Sequence, residues 1–281
     1  MIQLGNNSAL IMEGGGMRGL FTAGVIDVFM EQGLSFPCAV GVSAGACFGV
    51  NIKSRQIGRA LRYNVQLAGD PRYMGLRSLL RTGDFVNGDF AYHVVPFEID
   101  IFDTEQYALN PMQFYVVCTD VETGQPVYHR IDQIDYTELE WIRASASLPM
   151  ISRPVHLDGR GLLDGGISDS IPLRFAESLG YDHNVVILTQ PLGFRKRPAS
   201  HRWLFDLFCR PYPKMAELLR RRHLMYNAEL EYIEQQARQG LCSIIAPSAP
   251  LHIGRVSQNP ASLKRVYEEG RKAALSFIKG I

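Results

Sequence analysis

Paired cysteines, long apolar runs and a dominant charge are all missing from this sequence. The five cysteines of the 281-residue chain stand at 38, 47, 118, 209 and 242, odd in number and without C-x-x-C spacing. That argues against both a disulfide framework and a zinc site. No stretch approaches the roughly 18 apolar residues that span a bilayer as a helix. The opening MIQLGNNSALIMEGGG has neither the basic start nor the long apolar core of a secretion signal. With 29 Lys and Arg against 28 Asp and Glu the formal charge is +1, so no overall polycation speaks for nucleic acid. No segment repeats at a fixed period or is of low complexity. The expectation is a cytoplasmic protein of a reducing compartment, and 46% hydrophobic with 20% charged residues is an ordinary globular composition.

Apolar segments recur with helical segments between them, the pattern of an α/β fold with a mainly parallel sheet. Strands are expected at Ser8–Met12, Cys38–Val42, Gln113–Thr119, Asn184–Thr189 and Leu241–Ala246. A helix is expected from Met17 to about Gln32, stopped by Gly33, and another from Ala44 to about Ile52. Met215–Arg238 and Ala261–Lys279 read as amphipathic helices.

Two glycine turns follow the first two strands. Gly14, Gly15, Gly16, Met17, Arg18 and Gly19 satisfy G-x-G-x-x-G between a strand and a helix, where bare N–H groups favour an anion. A dinucleotide fold would need the second strand to end in an acid. Here it runs instead into Gly41, Val42, Ser43, Ala44 and Gly45, a G-x-S-x-G match in the strand-to-helix context of a nucleophile elbow. A serine hydroxyl needs a base. None of the seven histidines sits in a recognisable downstream motif, whereas Asp164 ends an apolar strand beside Gly165 and Gly166. An aspartate there is placed to accept the serine proton directly. The next helix begins near Ile171 and Pro172, proline suiting a first turn.

The three motifs in this order resemble the patatin-like phospholipase family, whose pattern is G-G-G-x-[RK]-G, then G-x-S-x-G, then D-G-[GA]. Ala144–Pro149 is similar to the family's A-S-x-(A/S)-x-P stretch. The resemblance covers roughly residues 8–178. It implies a three-layer α/β/α fold with a mainly parallel central sheet, and a Ser–Asp dyad with Ser43 as nucleophile and Asp164 as general base. The loop from Gly14 to Gly19 would form the oxyanion hole. It also implies a lipid or other ester as substrate, with no metal and no organic cofactor. Residues 179–281 would be a helical C-terminal extension that completes or packs on the core.

Other readings stand beside this one. A soluble carboxylesterase or thioesterase, and an idle member that only binds lipid, share the same motifs. His156, eight residues before Asp164, is the candidate for a hidden third member, and Cys47 reads as core packing. Arg18 sits unfavourably at the positive end of a helix dipole, so it positions an anion or braces the loop. Gly69–Asn87, rich in Gly and Arg, is a candidate lid. Arg195–Arg222 holds nine Lys and Arg against Asp206 and Glu217. Trp203, Phe205 and Phe208 interleave with these charges, so the stretch is either a solvated flank packed on the main domain or a transient membrane-surface contact.

Overall fold

The computed structural model describes residues 7–200 and 203–280. The first strand, β1 (Ala9–Met12), is buried on both faces, as a strand at the centre of a parallel sheet must be. A 3₁₀ turn, Gly16–Gly19, leads into α1 (Leu20–Glu31), so the expected helix from Met17 starts with a tighter turn and stops, as expected, before Gly33. β2 (Cys38–Val42) and α2 (Ala44–Ser54) follow. Next come α3 (Arg59–Gln66), α4 (Leu76–Thr82), a π-helical segment Phe90–Ile99 and α5 (Thr104–Leu109). β3 (Gln113–Asp120), β4 (Pro126–Ile131), α6 (Tyr136–Ser145), β5 (Val155–Leu157), β6 (Arg160–Asp164) and α7 (Leu173–Ser178) complete the first 178 residues. Beyond them lie β7 (Asn184–Ile187), α8 (Trp203–Phe208), α9 (Pro213–Arg238), β8 (Cys242–Ile245) and α10 (Pro260–Lys279).

The sheet runs β5-β6-β3-β2-β1-β7-β8, with β4 also paired to β3. β2, β1, β7, β8 and the β2–β3 pair are parallel, while β4, β5 and β6 join antiparallel. Alternate residues of β1 and β2 feed two cores. Leu10, Met12 and Ala39 pack with α1, α2 and α10, whereas Ala9, Ile11, Val40 and Val42 pack with Leu173 of α7 and Tyr226, Leu230 and Ile233 of α9. The result is the three-layer α/β/α arrangement. On the first side α1 and α10 cross closely: a Cβ on Gly24 would lie 2.1 Å from Tyr267 O, and one on Gly270 2.0 Å from Phe21 O. Only glycine permits that approach.

One register detail builds the site. β3 pairs with β2 up to Val42↔Val117 and with β6 from Cys118↔Asp164 onward. The residue after Val42 and the last residue of β6 therefore meet at consecutive positions along one strand.

Candidate active site

Ser43 turns the chain from β2 into α2 with φ 56° and ψ −122°, a conformation that costs a non-glycine residue about 1–3 kcal/mol. Its surroundings hold it there. The Ser43 N–H donates to Ser145 Oγ at 3.0 Å, and Ser145 Oγ donates to Val117 O at 2.6 Å. Gly41 lies under Ala46 and Gly45 against the Met12 carbonyl, both too close for a side chain. Ala44, also buried, opens α2.

The Ser43 hydroxyl donates to Asp164 Oδ2 at 2.6 Å. The other oxygen, Oδ1, accepts the Gly166 N–H at 2.8 Å, and the Asp164 carbonyl accepts from Thr119 Oγ1 at 2.8 Å. Gly165 packs on the Val117 carbonyl, where a Cβ would lie 2.1 Å away. Asp164 is 2% exposed. Burial pushes its carboxyl above the ordinary carboxylate range, opposed first by the Arg222 guanidinium and then by the bonds from Ser43 and Gly166. Such a carboxylate is a stronger base than one in water.

The loop Gly14–Gly19 faces this pair. A Cβ on Gly14 would lie 2.8 Å from Ser43 Cβ, and one on Gly16, whose φ is +58°, 2.3 Å from the Arg255 carbonyl. The Met17 N–H donates to Arg255 O at 2.9 Å and the Arg18 N–H to Gly15 O at 3.4 Å. Among the described residues, the N–H groups of Gly14, Gly15 and Gly16 donate to no protein acceptor. Met17 points its side chain into the core, and Gly19 abuts Ala44. The glycine run is thus left with free donors beside Ser43, whereas the second half of the loop has spent its own.

Three cavities meet here. An apolar one of about 150 Å³ has Ser43 at its mouth and is lined by Phe48, Tyr63, Tyr92, Val95, Phe102 and Ile142, among others. Tyr73, Met74, Phe85 and Val86, from the expected lid segment, form part of its wall. α4 within that segment exposes Leu76 and Leu80 at 73% and 87%. Cys47 also lines the cavity, with Sγ 3.3 Å from the Tyr92 hydroxyl, so it is a wall residue as well as packing. A narrow cleft of about 30 Å³ holds Ser43, Asp164, Gly14–Gly16, Glu13, Arg18, Lys196, Arg222 and Arg255. It opens into an outer cavity of about 520 Å³ that shares the same four cations.

Several of these residues carry no motif. Glu13 is buried, accepting from the Thr189 N–H at 2.6 Å and the Tyr226 hydroxyl at 2.7 Å. Arg222 and Tyr226 are one turn apart on α9 and so share the face turned to the site. His156 stands on the edge strand β5, exposed, and donates to neither Ser43 nor Asp164. His93 and His129 pair with Glu140 and Glu138. In the basic stretch, Arg195, Arg220 and Arg221 pair with Glu234, Asp206 and Glu217. Trp203, Leu207 and Phe208 are exposed, whereas Phe205 turns inward onto Val121, Leu163 and Met215, in line with the packed-flank reading for that residue. That side of α8 is the one α9 covers. Arg202 lies outside the described residues.

A family model described as patatin-like phospholipase matches residues 10–177, and one for a domain of unknown function (DUF6363) matches residues 212–281. An uncharacterized protein of Escherichia coli K12, YjjU, is 29% identical over 96% of this chain and 76% of its own length. Lysophospholipase nte1 of Aspergillus oryzae is 28% identical over 63% of this chain, a match that spans 11% of the fungal protein. An uncharacterized NTE family protein of Mycobacterium tuberculosis is 27% identical over 68% of this chain and 51% of its own length. The crystal structure of VipD from Legionella pneumophila superposes with a TM-score of 0.51 at 12% identity, covering 98% of this chain and 67% of that one. At that identity the likeness is one of fold.

Proposed function

This chain belongs to the patatin-like phospholipase family, and from that premise we propose that it is a serine lipid acyl hydrolase with Ser43 as nucleophile and Asp164 as general base. The observation that carries the reading is the 2.6 Å bond from the Ser43 hydroxyl to a buried carboxylate at the mouth of an apolar cavity. As Ser43 Oγ attacks an ester carbonyl, Asp164 Oδ2 takes its proton. The developing oxyanion turns to the free N–H groups of Gly14, Gly15 and Gly16, each such donor being worth about 3–4 kcal/mol. The proton held by Asp164 passes to the leaving alcohol. Water, activated by the same carboxylate, then hydrolyses the acyl-enzyme.

The acyl chain occupies the apolar cavity, whose aromatic and aliphatic wall favours a long chain over a short soluble ester. Residues 8–178 form the hydrolase unit in this reading. Residues 179–281 complete its core, since β7 and β8 continue its sheet and α9 supplies Arg222 and Tyr226 to its site. No helix among the described residues is long and apolar enough to cross a membrane. The exposed Trp203, Leu207 and Phe208 on α8 support a transient contact with a lipid surface.

Hydrolysis of p-nitrophenyl esters of rising chain length, and of lysophospholipid micelles, tests the proposal. Ser43→Ala and Asp164→Asn are expected to lose about 10³-fold or more in kcat, with His156→Ala close to the unmodified protein. Equal loss in His156→Ala would replace the dyad with a triad, and a folded protein that hydrolyses nothing would leave only lipid binding.

A further inference from the structure

The cleft around Ser43 holds more positive charge than the acyl-transfer reaction uses. Arg18, Lys196, Arg222 and Arg255 all line it, and its only carboxylates are Glu13 and Asp164. None of the four cations makes an ion pair among the described residues. Glu13 has both oxygens engaged by the Thr189 N–H and the Tyr226 hydroxyl, and Asp164 is engaged by Ser43 and Gly166. Arg255 is exposed, but Arg18, Lys196 and Arg222 are half-buried, and such cations without carboxylate partners are costly. Burial lowers the pKa of Arg18, Lys196 and Arg222, opposed by the charge of Glu13 at Arg18 and of Asp164 at Arg222, while the Arg222 guanidinium lowers that of Lys196 further. The Arg18 Nε is buried with no acceptor at all.

The arrangement is nevertheless held firmly. Lys196 is fixed by two backbone bonds to Asn227, from its N–H at 2.8 Å and to its carbonyl at 3.0 Å, and its ammonium lies 3.7 Å from the centre of the Tyr226 ring. Arg222 Nε donates to the Gly166 carbonyl, beside the bond that aligns Asp164. The Arg255 carbonyl accepts the Met17 N–H. Lys196, Arg222 and Arg255 all come from outside residues 10–177, the span matched by the patatin-like model. An oxyanion formed at Ser43 faces the glycine N–H groups and requires none of these side chains.

We propose that Arg18, Lys196, Arg222 and Arg255 form a phosphate-binding subsite, which selects esters whose reacting carbonyl lies a few bonds from a phosphate. This rests on the hydrolase reading and adds to it the residues that would hold the substrate's phosphate, three of them outside the span of the patatin-like model. With the acyl chain in the apolar cavity, a glycerol backbone places its phosphate toward the cations, and the outer cavity of about 520 Å³ takes whatever the phosphate carries. Guanidinium groups suit that role because their planar donors match phosphate oxygens two at a time.

Titration calorimetry on the Ser43→Ala protein with glycerol 3-phosphate, inorganic phosphate and glycerol reads the subsite without turnover. Glycerol 3-phosphate is expected to bind more tightly than inorganic phosphate, and glycerol not to bind. Adding Lys196→Gln or Arg222→Gln should weaken glycerol 3-phosphate about tenfold each, and Lys196→Arg should restore it, with circular dichroism confirming that each variant is folded. In the active protein, the same substitutions should lower the ratio of kcat/KM for lysophosphatidic acid to that for a p-nitrophenyl ester of equal acyl length. Glycerol 3-phosphate that does not bind, or binds the substituted proteins equally well, overturns the subsite. Inorganic phosphate binding as tightly as glycerol 3-phosphate overturns its role toward substrate. Phosphate binding without hydrolysis of any ester would break the hydrolase reading and leave the subsite intact, whereas hydrolysis without phosphate binding would do the reverse.

Discussion

On the apolar side of Ser43, the buried cation Arg59 is neutralised by Asp100 at 3.4 Å and donates to its carbonyl at 2.7 Å. On the opposite side, four cations share a cleft with Glu13 and Asp164, whose oxygens are engaged by other donors and form no ion pair with them among the described residues. The first wall comes mostly from α2, the Phe90–Ile99 segment, α6 and the loops beside them, with Arg255 and Val256 at its rim, and three of the four cations of the second come from the last third of the chain. A buried charge that serves packing finds its partner within the protein. One left without a partner, yet held by backbone bonds, is arranged for something that arrives from outside. In the proposed reading the two walls divide the substrate between them, with the reacting ester at their junction.

This division can be broken from either wall. The largest effect is expected from filling the apolar cavity: Ala91→Phe should cut kcat/KM for a dodecanoyl p-nitrophenyl ester about tenfold relative to the butanoyl ester. A chain-length profile of unchanged shape would remove the acyl chain from that cavity. A smaller change, about threefold, is expected when Trp203 and Leu207 are both replaced by serine and co-sedimentation with anionic vesicles is measured. Unaltered sedimentation would show that α8 does not meet the lipid surface. The smallest effect is a displacement on the pH axis. In the proposed dyad Asp164 must be ionised to accept the serine proton, so kcat/KM should rise with pH as this carboxyl, raised by burial, loses its own proton. Arg222 favours the ionised form. Arg222→Gln should therefore raise the Asp164 pKa further and move the acid limb of the kcat/KM profile to higher pH. A limb that stays in place would confine Arg222 to the phosphate side.

The two walls were also unequally legible in the sequence. Ser43, Asp164 and the glycine loop announce themselves because each demands an unusual backbone: φ 56° at Ser43, a carbonyl 2.1 Å from any Cβ at Gly165, and a loop pressed on Ser43 at Gly14. Constraints of that kind leave short motifs. The parallel strands were likewise visible as apolar runs, within two residues at their ends. The antiparallel β4 was not, because Pro126, Val127, Tyr128, His129 and Arg130 are only half-buried or exposed and show no continuous apolar signal. The cationic wall left no motif either. Lys196, Arg222 and Arg255 are about thirty residues apart, and nothing local distinguishes Arg222 from Arg221, which pairs with Glu217 on the surface. What separates those neighbours is the face of α9 on which each falls, and the sheet decides that. The stretch around α8 allowed two readings for the same reason, since helix spacing places Trp203 and Phe205 on different sides of α8.

The placement of β1 carries one more consequence. It is the earliest strand among the described residues, yet it lies between β2 and β7, and its pairing to Val185, Val186 and Ile187 spans some 175 residues of sequence. Until that late segment has left the ribosome, one edge of an entirely apolar strand has no partner, a state in which nascent chains stick to each other. A cut at the end of the matched hydrolase region would make this exposed edge permanent. The C-terminal third is thus the part that covers this edge, with β7 paired to β1 and β8 to β7.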